Sequence, residues 1–421
     1  MQRRADRGRR CFAPIALVVC ASGLTGCGSH FQPVDQAAVN KLYADYDREF
    51  LVYLANAVQA VGKETIKVEP LSDRYTTPKL MTVKGTPYDI GATIGHIARQ
   101  FGRTPPLRTD ADRDLNERVA AMYRRIYPQH LEFVRGLASA FPVAADQVDL
   151  TRLDFEFLVF LGYDLLKYDD FLRLTDFSTY GDVRPTGGCS VASYYRNGRH
   201  LVGRNFDPES DKPHYFATSE VAGCYKVKGH VIYIPYLVVD GINEKGLSLN
   251  VAANGEEYYA KEPYPSEPAV YVDYLGRIVM DTCATVDEAI ALIGSVRAWI
   301  AWAGVHWLIA DASGKSVVVE WNLNHKMLVF DGTGPYEIMT NTALQKGEDY
   351  VASHCWRYQL GRGLLASTNV DSPEAMAEIM MQIRQTEGDA RTLWTSIMDL
   401  NARSFLVFYR KEPGQRYEFA F

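Results

Sequence analysis

A cysteine in the middle of the chain is followed by a predicted hairpin that returns charged side chains toward it. Cys189 stands in the segment GGCSVASYYRNGRHLVGRNFD, where the Asn-Gly pair at 197–198 favours a two-residue turn between two strands. In that register Cys189 pairs with Phe206, and Val191 pairs with Arg204. Arg204 and Cys189 then lie on one face of the sheet as diagonal neighbours.

The register of this hairpin decides which charge reaches the sulfur. If the loop holds three residues, Cys189 faces Asp207 directly and Arg204 moves to the other face of the sheet. The residues alone do not choose between the two registers. Both place a charged side chain within reach of the thiol.

A thiol with a free pKa of about 8.5 needs help to become a nucleophile. The histidines are poorly placed for it, because His200 lies at the far end of the hairpin and His306 opens another strand, where an ordinary half-buried histidine is expected. If the bond before Cys189 is cut, the freed α-amine has a pKa of about 7.7–8.0 and can serve as the base. Gly187 and Gly188 allow the strained backbone that attack of the sulfur on the preceding carbonyl requires. The segment therefore predicts self-cleavage at Gly188–Cys189.

The rest of the chain must position this cysteine. Residues 28–188 are predicted to be mostly helical, apart from a short strand and turn that end at 85–87, and their last helical stretch breaks near Pro128. Later segments alternate between strand pairs and helices, with helix starts at Thr285 and Ser372. This order predicts an α+β layered fold built on antiparallel sheets.

Four segments, in order along the chain, resemble the N-terminal-nucleophile (Ntn) hydrolases of the choloylglycine hydrolase and penicillin V acylase type. They are CSVASYYRNGRHLVGRNFD, DGINEKGLSLNV, HWLIADASGKSVVVE and FDGTGPYEIMTNTA. Upstream, VKGTPYDIGATIGHIARQ and YPQHLEFVRGLASAFPVAADQVDL are similar to the pro-region of the isopenicillin N acyltransferase family. The resemblance covers the chain from about residue 80 to the end. It implies an αββα four-layer sandwich with two antiparallel sheets, preceded by a helical pro-region.

The resemblance also implies roles for individual residues. Cys189 stands at the nucleophile, Arg204 at the arginine near the thiolate, and Asp207 at the carboxylate that holds the freed α-amine. Asn341 stands at the amide of the oxyanion hole, and Arg357 matches a further active-site arginine.

A second oxyanion donor is implied after the Asn-Glu-Lys-Gly turn, and either Asn250 or Asn254 matches it. The implied domains are a signal peptide (1–26), a pro-region or α chain (27–188) and a catalytic β chain (189–421). The two chains are expected to stay together as a heterodimer, with no metal or cofactor.

The N-terminus predicts export. Five arginines in MQRRADRGRR precede a short apolar run that ends in Leu-Thr-Gly-Cys at 24–27, which resembles a bacterial lipobox. Cys27 is then expected to carry a lipid that anchors the protein in the cell envelope, on the periplasmic or outer-membrane side in a Gram-negative cell. An ordinary secretion signal is the alternative.

Composition excludes some functions. The net charge of −6 gives no sign of nucleic-acid binding, and the absence of a Cys-x-x-Cys pair argues against zinc. One disulfide among Cys224, Cys283 and Cys355 is compatible with an oxidising envelope, and the sequence does not say which two cysteines would form it.

The prediction is hydrolysis of a small-molecule N-acyl amide through an acyl-enzyme on Cys189. Transfer of the acyl group to another amine is the alternative. A non-catalytic envelope lipoprotein that uses the fold as a binding module is the second alternative.

Overall fold

The computed structural model describes residues 36–72, 75–154, 188–208, 214–232, 238–254, 264–300, 304–322, 324–332, 334–386, 391–410 and 414–421. The helices of these ranges are α1 (Gln36–Val61), α2 (Pro87–Gln100), α3 (Arg113–Ile126), α4 (Gln129–Ser139), α5 (Leu150–Arg152), α6 (Val272–Thr282), α7 (Val286–Gly294), α8 (Glu348–His354), α9 (Trp356–Ser367) and α10 (Pro373–Gln382). The strands are β1 (Ile66–Ser72), β2 (Tyr75–Gly85), β3 (Gly188–Arg196), β4 (Arg199–Asp207), β5 (His214–Val221), β6 (Val227–Ile232), β7 (Val238–Asn243), β8 (Ser248–Asn254), β9 (Val270–Tyr271), β10 (Ala298–Trp299), β11 (Gly304–Ala310), β12 (Ser316–Trp321), β13 (Met327–Asp331), β14 (Tyr336–Met339), β15 (Trp394–Asp399), β16 (Ser404–Tyr409) and β17 (Tyr417–Ala420).

The larger sheet has nine strands in the order β1-β2-β5-β6-β7-β8-β11-β12-β13. Its first two strands come from the predicted pro-region, where the sequence indicated a single short strand among helices. β2 runs parallel to β5, with residues 79–85 facing 215–221, whereas the other neighbours are antiparallel. The N-terminal region therefore completes the sheet and does not only cover it.

The smaller sheet has six strands in the order β14-β3-β4-β15-β16-β17, all antiparallel. The Cys189 hairpin, β3 and β4, lies in its middle. Because central strands have both edges paired, their backbone positions are held on both sides.

Two apolar cores separate the layers. The first lies between the outer face of the nine-stranded sheet and a helical layer formed by α1 to α4, α6 and α7, and includes Phe133, Tyr274 and Trp307. The second lies between the two sheets and continues to α9 and α10 on the far face of the smaller sheet; Cys189 belongs to it, with Ala252 of the larger sheet. The predicted αββα sandwich of two antiparallel sheets is confirmed, with the β2–β5 pair as its parallel exception.

Local signals located helix ends well. The Thr285 hydroxyl accepts the Glu288 N–H and begins α7, and Ser372 accepts the Ala375 N–H in front of α10. The helical stretch broken at Pro128 becomes α3 and α4. Among the described helices, none is long and apolar enough to cross a membrane. The predicted signal peptide, with Cys27, lies outside the described residues, and so does Gly187.

Candidate active site

The hairpin adopts the two-residue register. Asn197 and Gly198 have φ of 53° and 78°, the positive values that a two-residue turn of this type requires. Cys189 pairs with Phe206 and Asp207 pairs with Gly188, so the register with a three-residue loop is not the one observed.

Arg204 lies against the sulfur, as this register predicts. Its Nη2 donates to Cys189 Sγ over 3.4 Å and to the carbonyl oxygen of Val251 on β8 over 2.7 Å. The Arg204 side chain is completely buried, and its guanidinium carbon lies 4.9 Å from the centre of the Phe206 ring. The arginine therefore brings a positive charge to the thiol in an environment with little solvent screening.

The Cys189 thiol still keeps a raised pKa. Burial raises the pKa, and the charge of Arg204 lowers it; Asp207 raises it by its charge and lowers it by a backbone hydrogen bond, while Arg357 lowers it further. Since the net direction is upward, the resting group is a thiol that needs a base. Within the described part of the chain, no histidine is hydrogen-bonded to Cys189; His200 is bonded to the Asp311 carbonyl.

Arg357, at the start of α9, joins three predicted site residues. Its Nη1 donates to the carbonyl oxygen of Cys189 over 2.7 Å and to Asp207 Oδ2 over 3.1 Å, and its Nη2 donates to Asn341 Oδ1 over 3.0 Å. The helix thus holds one guanidinium at the N-terminal end of β3. Arg357 thus makes hydrogen bonds to three of the predicted site residues.

Asn341 meets the backbone of Cys189. Its Oδ1 accepts the Cys189 N–H over 2.6 Å, while its Nδ2 donates to the Ala253 carbonyl over 2.7 Å. In the uncut chain the side-chain oxygen therefore faces the cysteine, and the N–H group expected to stabilise an oxyanion is engaged by β8. That donor role stays a prediction, and it requires the amide to exchange partners.

Asp207 is buried beside this group and does not accept the Cys189 N–H. Its oxygens accept from Thr392 Oγ1 over 2.6 Å, from Gln385 Nε2 over 3.1 Å and from Arg357. Burial raises the pKa of the Asp207 carboxyl, and Arg357 and the two hydrogen bonds oppose the rise. Its predicted role in holding a freed α-amine stays a prediction.

Gly188 is packed closely against two side chains of the site. A Cβ on this residue would lie 2.0 Å from Asn341 Oδ1 and 2.5 Å from Arg357 Nη2. The residue before the cysteine is thus held directly against two of the predicted site side chains. A side chain at this position would therefore require Asn341 and Arg357 to move.

Asn250 and Asn254 each lie two residues from Ala252 on β8. They therefore share its face of the strand and point into the layer between the sheets. Asn250 is completely buried, and neither polar atom of its side chain has a partner among the described residues. Asn254 Oδ1 is likewise buried without a partner among the described residues. A buried amide without partners is costly, so Asn250 is the better candidate for a donor that awaits a ligand.

Sequence reasoning missed two buried carboxylates. Glu320 accepts the Leu344 N–H over 2.7 Å and His306 Nδ1 over 3.0 Å, and so fixes the turn that follows Asn341. Asp240 lies 3.4 Å from Arg204. Both stand in the motifs that carry the resemblance, as charged residues at inward positions of otherwise apolar strands, which is a signal that could have found them.

The other described cysteines are free: Cys224, Cys283 and Cys355 form no disulfide. Burial raises the pKa of Cys224 to about 12 and that of Cys283 to about 11. Both are therefore less reactive than an ordinary thiol. In the described ranges no group of three or more His, Cys, Asp or Glu side chains could hold a metal ion.

Comparisons with known proteins show what the chain is similar to. Residues 217–346 match the family described as linear amide C-N hydrolases, choloylglycine hydrolase family. A penicillin V acylase from Pectobacterium atrosepticum is 33% identical over 113 residues, which is 24% of this chain and 30% of the relative. The alignment thus spans less than a third of that relative's length.

Solved structures include similar chains of the same types. A mutant of conjugated bile acid hydrolase from Clostridium perfringens is 18% identical, with a TM-score of 0.46, over 55% of this chain and 92% of that one. Penicillin V acylase from Agrobacterium tumefaciens is 18% identical, also with a TM-score of 0.46, over 55% of this chain and 86% of that one. The match to the choloylglycine hydrolase family of linear amide C-N hydrolases covers residues 217–346 of this chain.

Proposed function

We propose that this protein is a self-processing amidase that hydrolyses a linear C–N amide bond of an N-acyl substrate, with Cys189 as its nucleophile. The observation that carries the proposal is the set of contacts around Cys189. Its sulfur accepts from Arg204, its N–H is bound by Asn341, and its carbonyl is bound by Arg357, which also reaches Asp207. The family match of residues 217–346 supports the same reaction type.

Self-cleavage is the first step. The Cys189 sulfur attacks the carbonyl carbon of Gly188, the C–N bond breaks, and the acyl group moves to sulfur while the nitrogen takes the thiol proton. Water then hydrolyses this thioester, which leaves a carboxylate on Gly188 and a free α-amine on Cys189. The contacts that support the step are those that hold Gly188 and the Cys189 N–H against Asn341.

Substrate turnover uses the freed amine as the base. The amine takes the thiol proton, the sulfur attacks the amide carbonyl of the substrate, and the leaving amine departs with that proton. Water attacks the acyl-enzyme in the same way and releases the acid. Because burial raises the pKa of the thiol, a base attached to the same residue is well suited to the step. Asn250 and a rearranged Asn341 are proposed to donate to the oxyanion.

The two products of cleavage are proposed to stay together. β2 of the upstream chain pairs with β5 over seven residues, and Tyr127 donates to Asp281 across the same boundary. His130 and Tyr274 are joined by a 2.7 Å hydrogen bond. Since these contacts do not depend on the Gly188–Cys189 bond, cutting it leaves them intact.

Mass spectrometry of the mature protein tests processing. We expect a new N-terminus at Cys189, and we expect Cys189→Ala to remain a single chain that does not hydrolyse penicillin V or a conjugated bile acid. A Cys189→Ala chain that is still cut would refute the intramolecular mechanism. Assays with and without an added acceptor amine separate hydrolysis from acyl transfer.

Membrane anchoring through a lipid on Cys27 is a separate proposal, supported only by the lipobox-like residues 24–27. We expect the protein in the membrane fraction of a bacterial host and its Cys27→Ala variant outside that fraction. Equal membrane association of the two would contradict it.

A further inference from the structure

A buried carboxylate lies behind the arginine that contacts the nucleophile. Asp240, on β7, is completely buried, and its Oδ2 lies 3.4 Å from Arg204 Nη1. The other terminal nitrogen of the same guanidinium donates to the Cys189 sulfur. Asp240 is therefore linked to the sulfur through a single side chain, although it makes no contact with the sulfur itself.

Donors surround the Asp240 carboxylate. Oδ1 accepts from the His230 backbone N–H over 3.1 Å and from His230 Nδ1 over 2.8 Å. Oδ2 accepts from Trp394 Nε1 over 3.0 Å and from Ser396 Oγ over 2.7 Å. These partners come from both sheets, so the carboxylate is fixed in position and orientation. Although burial raises its pKa, the charges of His230 and Arg204 and these hydrogen bonds outweigh burial and hold the pKa well below its usual range.

Arg204 depends on this ion pair. Its Nε and Nη1 have no hydrogen-bond partner among the described residues, and Nη2 is shared between Cys189 and the Val251 carbonyl. The Nη1 side of the guanidinium is thus held by charge attraction to Asp240 and by contact with neighbouring rings. A buried cation that loses the carboxylate paired with it is strongly destabilised where it stands, and it tends to move.

His230 in turn orients Asp240. Its ring lies on Trp394, with centroids 4.3 Å apart, and its Nε2 is 2.9 Å from the Tyr409 hydroxyl. These two contacts set the plane of the imidazole. Because Nδ1 faces a carboxylate that can only accept hydrogen bonds, Nδ1 carries a proton and donates a hydrogen bond to Oδ1.

We propose that Asp240, oriented by His230, is a positioning residue that holds the Arg204 guanidinium against the Cys189 sulfur. The catalytic importance of this positioning role rests on the proposed function of Cys189. A displacement of about 1 Å at a reacting group can lower a rate by about a hundredfold, so the position of this guanidinium matters as well as its charge.

The test measures how fast iodoacetamide alkylates Cys189, followed by mass spectrometry of the Cys189 peptide at a fixed pH. Asp240→Asn is expected to slow alkylation by about tenfold in the wild-type background and by less than about twofold in an Arg204→Met background, because residues that act through one contact are not additive. Asp399→Asn is the matched control. It breaks another Asp–Arg pair, between the buried Asp399 and the partly exposed Arg199, at the turn end of the same hairpin, and should leave the rate unchanged.

Two outcomes would overturn the proposal. Equal slowing by Asp240→Asn in both backgrounds would mean that Asp240 does not act through Arg204. Faster alkylation would mean that Asp240 acts only as a negative charge opposing the thiolate, since removing such a charge favours ionisation.

Separate controls address misfolding of the variant and failure of the proposed function. If Asp240→Asn unfolds, Cys224 and Cys283 become reactive, and the decision passes to His230→Asn, which keeps a donor for Asp240, and His230→Leu, which does not. We expect the asparagine to retain most of the wild-type rate and the leucine to lose it; equal rates for the two variants would overturn the proposal. Alkylation needs neither a substrate nor cleavage, so a chain that fails to process would refute the proposed function and leave this result interpretable.

Discussion

Replacing Gly188 by alanine should slow the proposed self-cleavage through space alone. The added Cβ would lie 2.0 Å from Asn341 Oδ1 and 2.5 Å from Arg357 Nη2, whereas real Cβ atoms essentially never approach another atom closer than 3.0 Å. The Asn341 amide must therefore move by about 1 Å. It then loses its 2.6 Å bond from the Cys189 N–H. The substitution adds one methyl group and changes no charge.

The size of the effect follows from that displacement. A misplacement of about 1 Å can cost about a hundredfold in rate, so we expect Gly188→Ala to process about a hundred times more slowly than the wild type. Overpacking should also lower the free energy of unfolding of the precursor by about 1–3 kcal/mol. A time course on a denaturing gel, with mass spectrometry of the fragments, follows the loss of the single chain.

The matched control is Gly276→Ala in α6. Gly276 is also buried, but its Cβ would meet nothing closer than Trp307 at 3.6 Å, an ordinary contact distance. This variant should process at the wild-type rate. Wild-type processing of Gly188→Ala with an unchanged melting temperature would refute the steric argument and with it the packing described for the cleavage site.

Three further predictions concern buried polar groups. Asn250→Ala should lower kcat by about a hundredfold without lowering the melting temperature, because it removes a proposed oxyanion donor and an amide without partners; an unchanged kcat would assign the donor elsewhere. Glu320→Gln should speed hydrogen exchange of the amides at 344–345 and lower kcat about tenfold with little change in KM, since it loosens the turn after Asn341; unchanged exchange would contradict this. Burial raises the pKa of Asp154 from 3.8 to about 7, so its contribution to stability is complete below about pH 4 and is lost as the pH rises toward 7. The stability of Asp154→Asn relative to wild type, measured by denaturant unfolding, should therefore rise by about 2 kcal/mol between pH 5 and 7, and a constant difference would argue against the raised pKa.

The local part of the site could be predicted from the sequence. An Asn-Gly pair between two strand-like segments is a short-range signal, and it placed Arg204 on the Cys189 face in one of the two registers considered. Helix starts at Thr285 and Ser372 are equally local. Such features depend on neighbouring residues, which a sequence displays directly.

The long-range part could not be derived from the residues alone. Arg357 and Asn341 were found by resemblance to a family, because nothing near them in the sequence indicates that they meet Cys189. Asp240 and Glu320 were missed because strand alternation predicts which face a residue occupies but not which side chain lies opposite. The parallel pairing of β2 with β5 joins segments more than 100 residues apart and leaves no local pattern.

The composition of the nine-stranded sheet bears on the order of folding and the proposed cleavage. Once the Gly188–Cys189 bond is cut, β1 and β2 belong to a different polypeptide from the strands beside them, so one sheet is assembled from two molecules. The precursor folds as a single chain, whereas a denatured mature protein has to bring two chains together, at a rate that depends on concentration. We therefore expect folding to precede the proposed cleavage, and mature protein refolded at high dilution should recover far less activity than precursor folded under the same conditions.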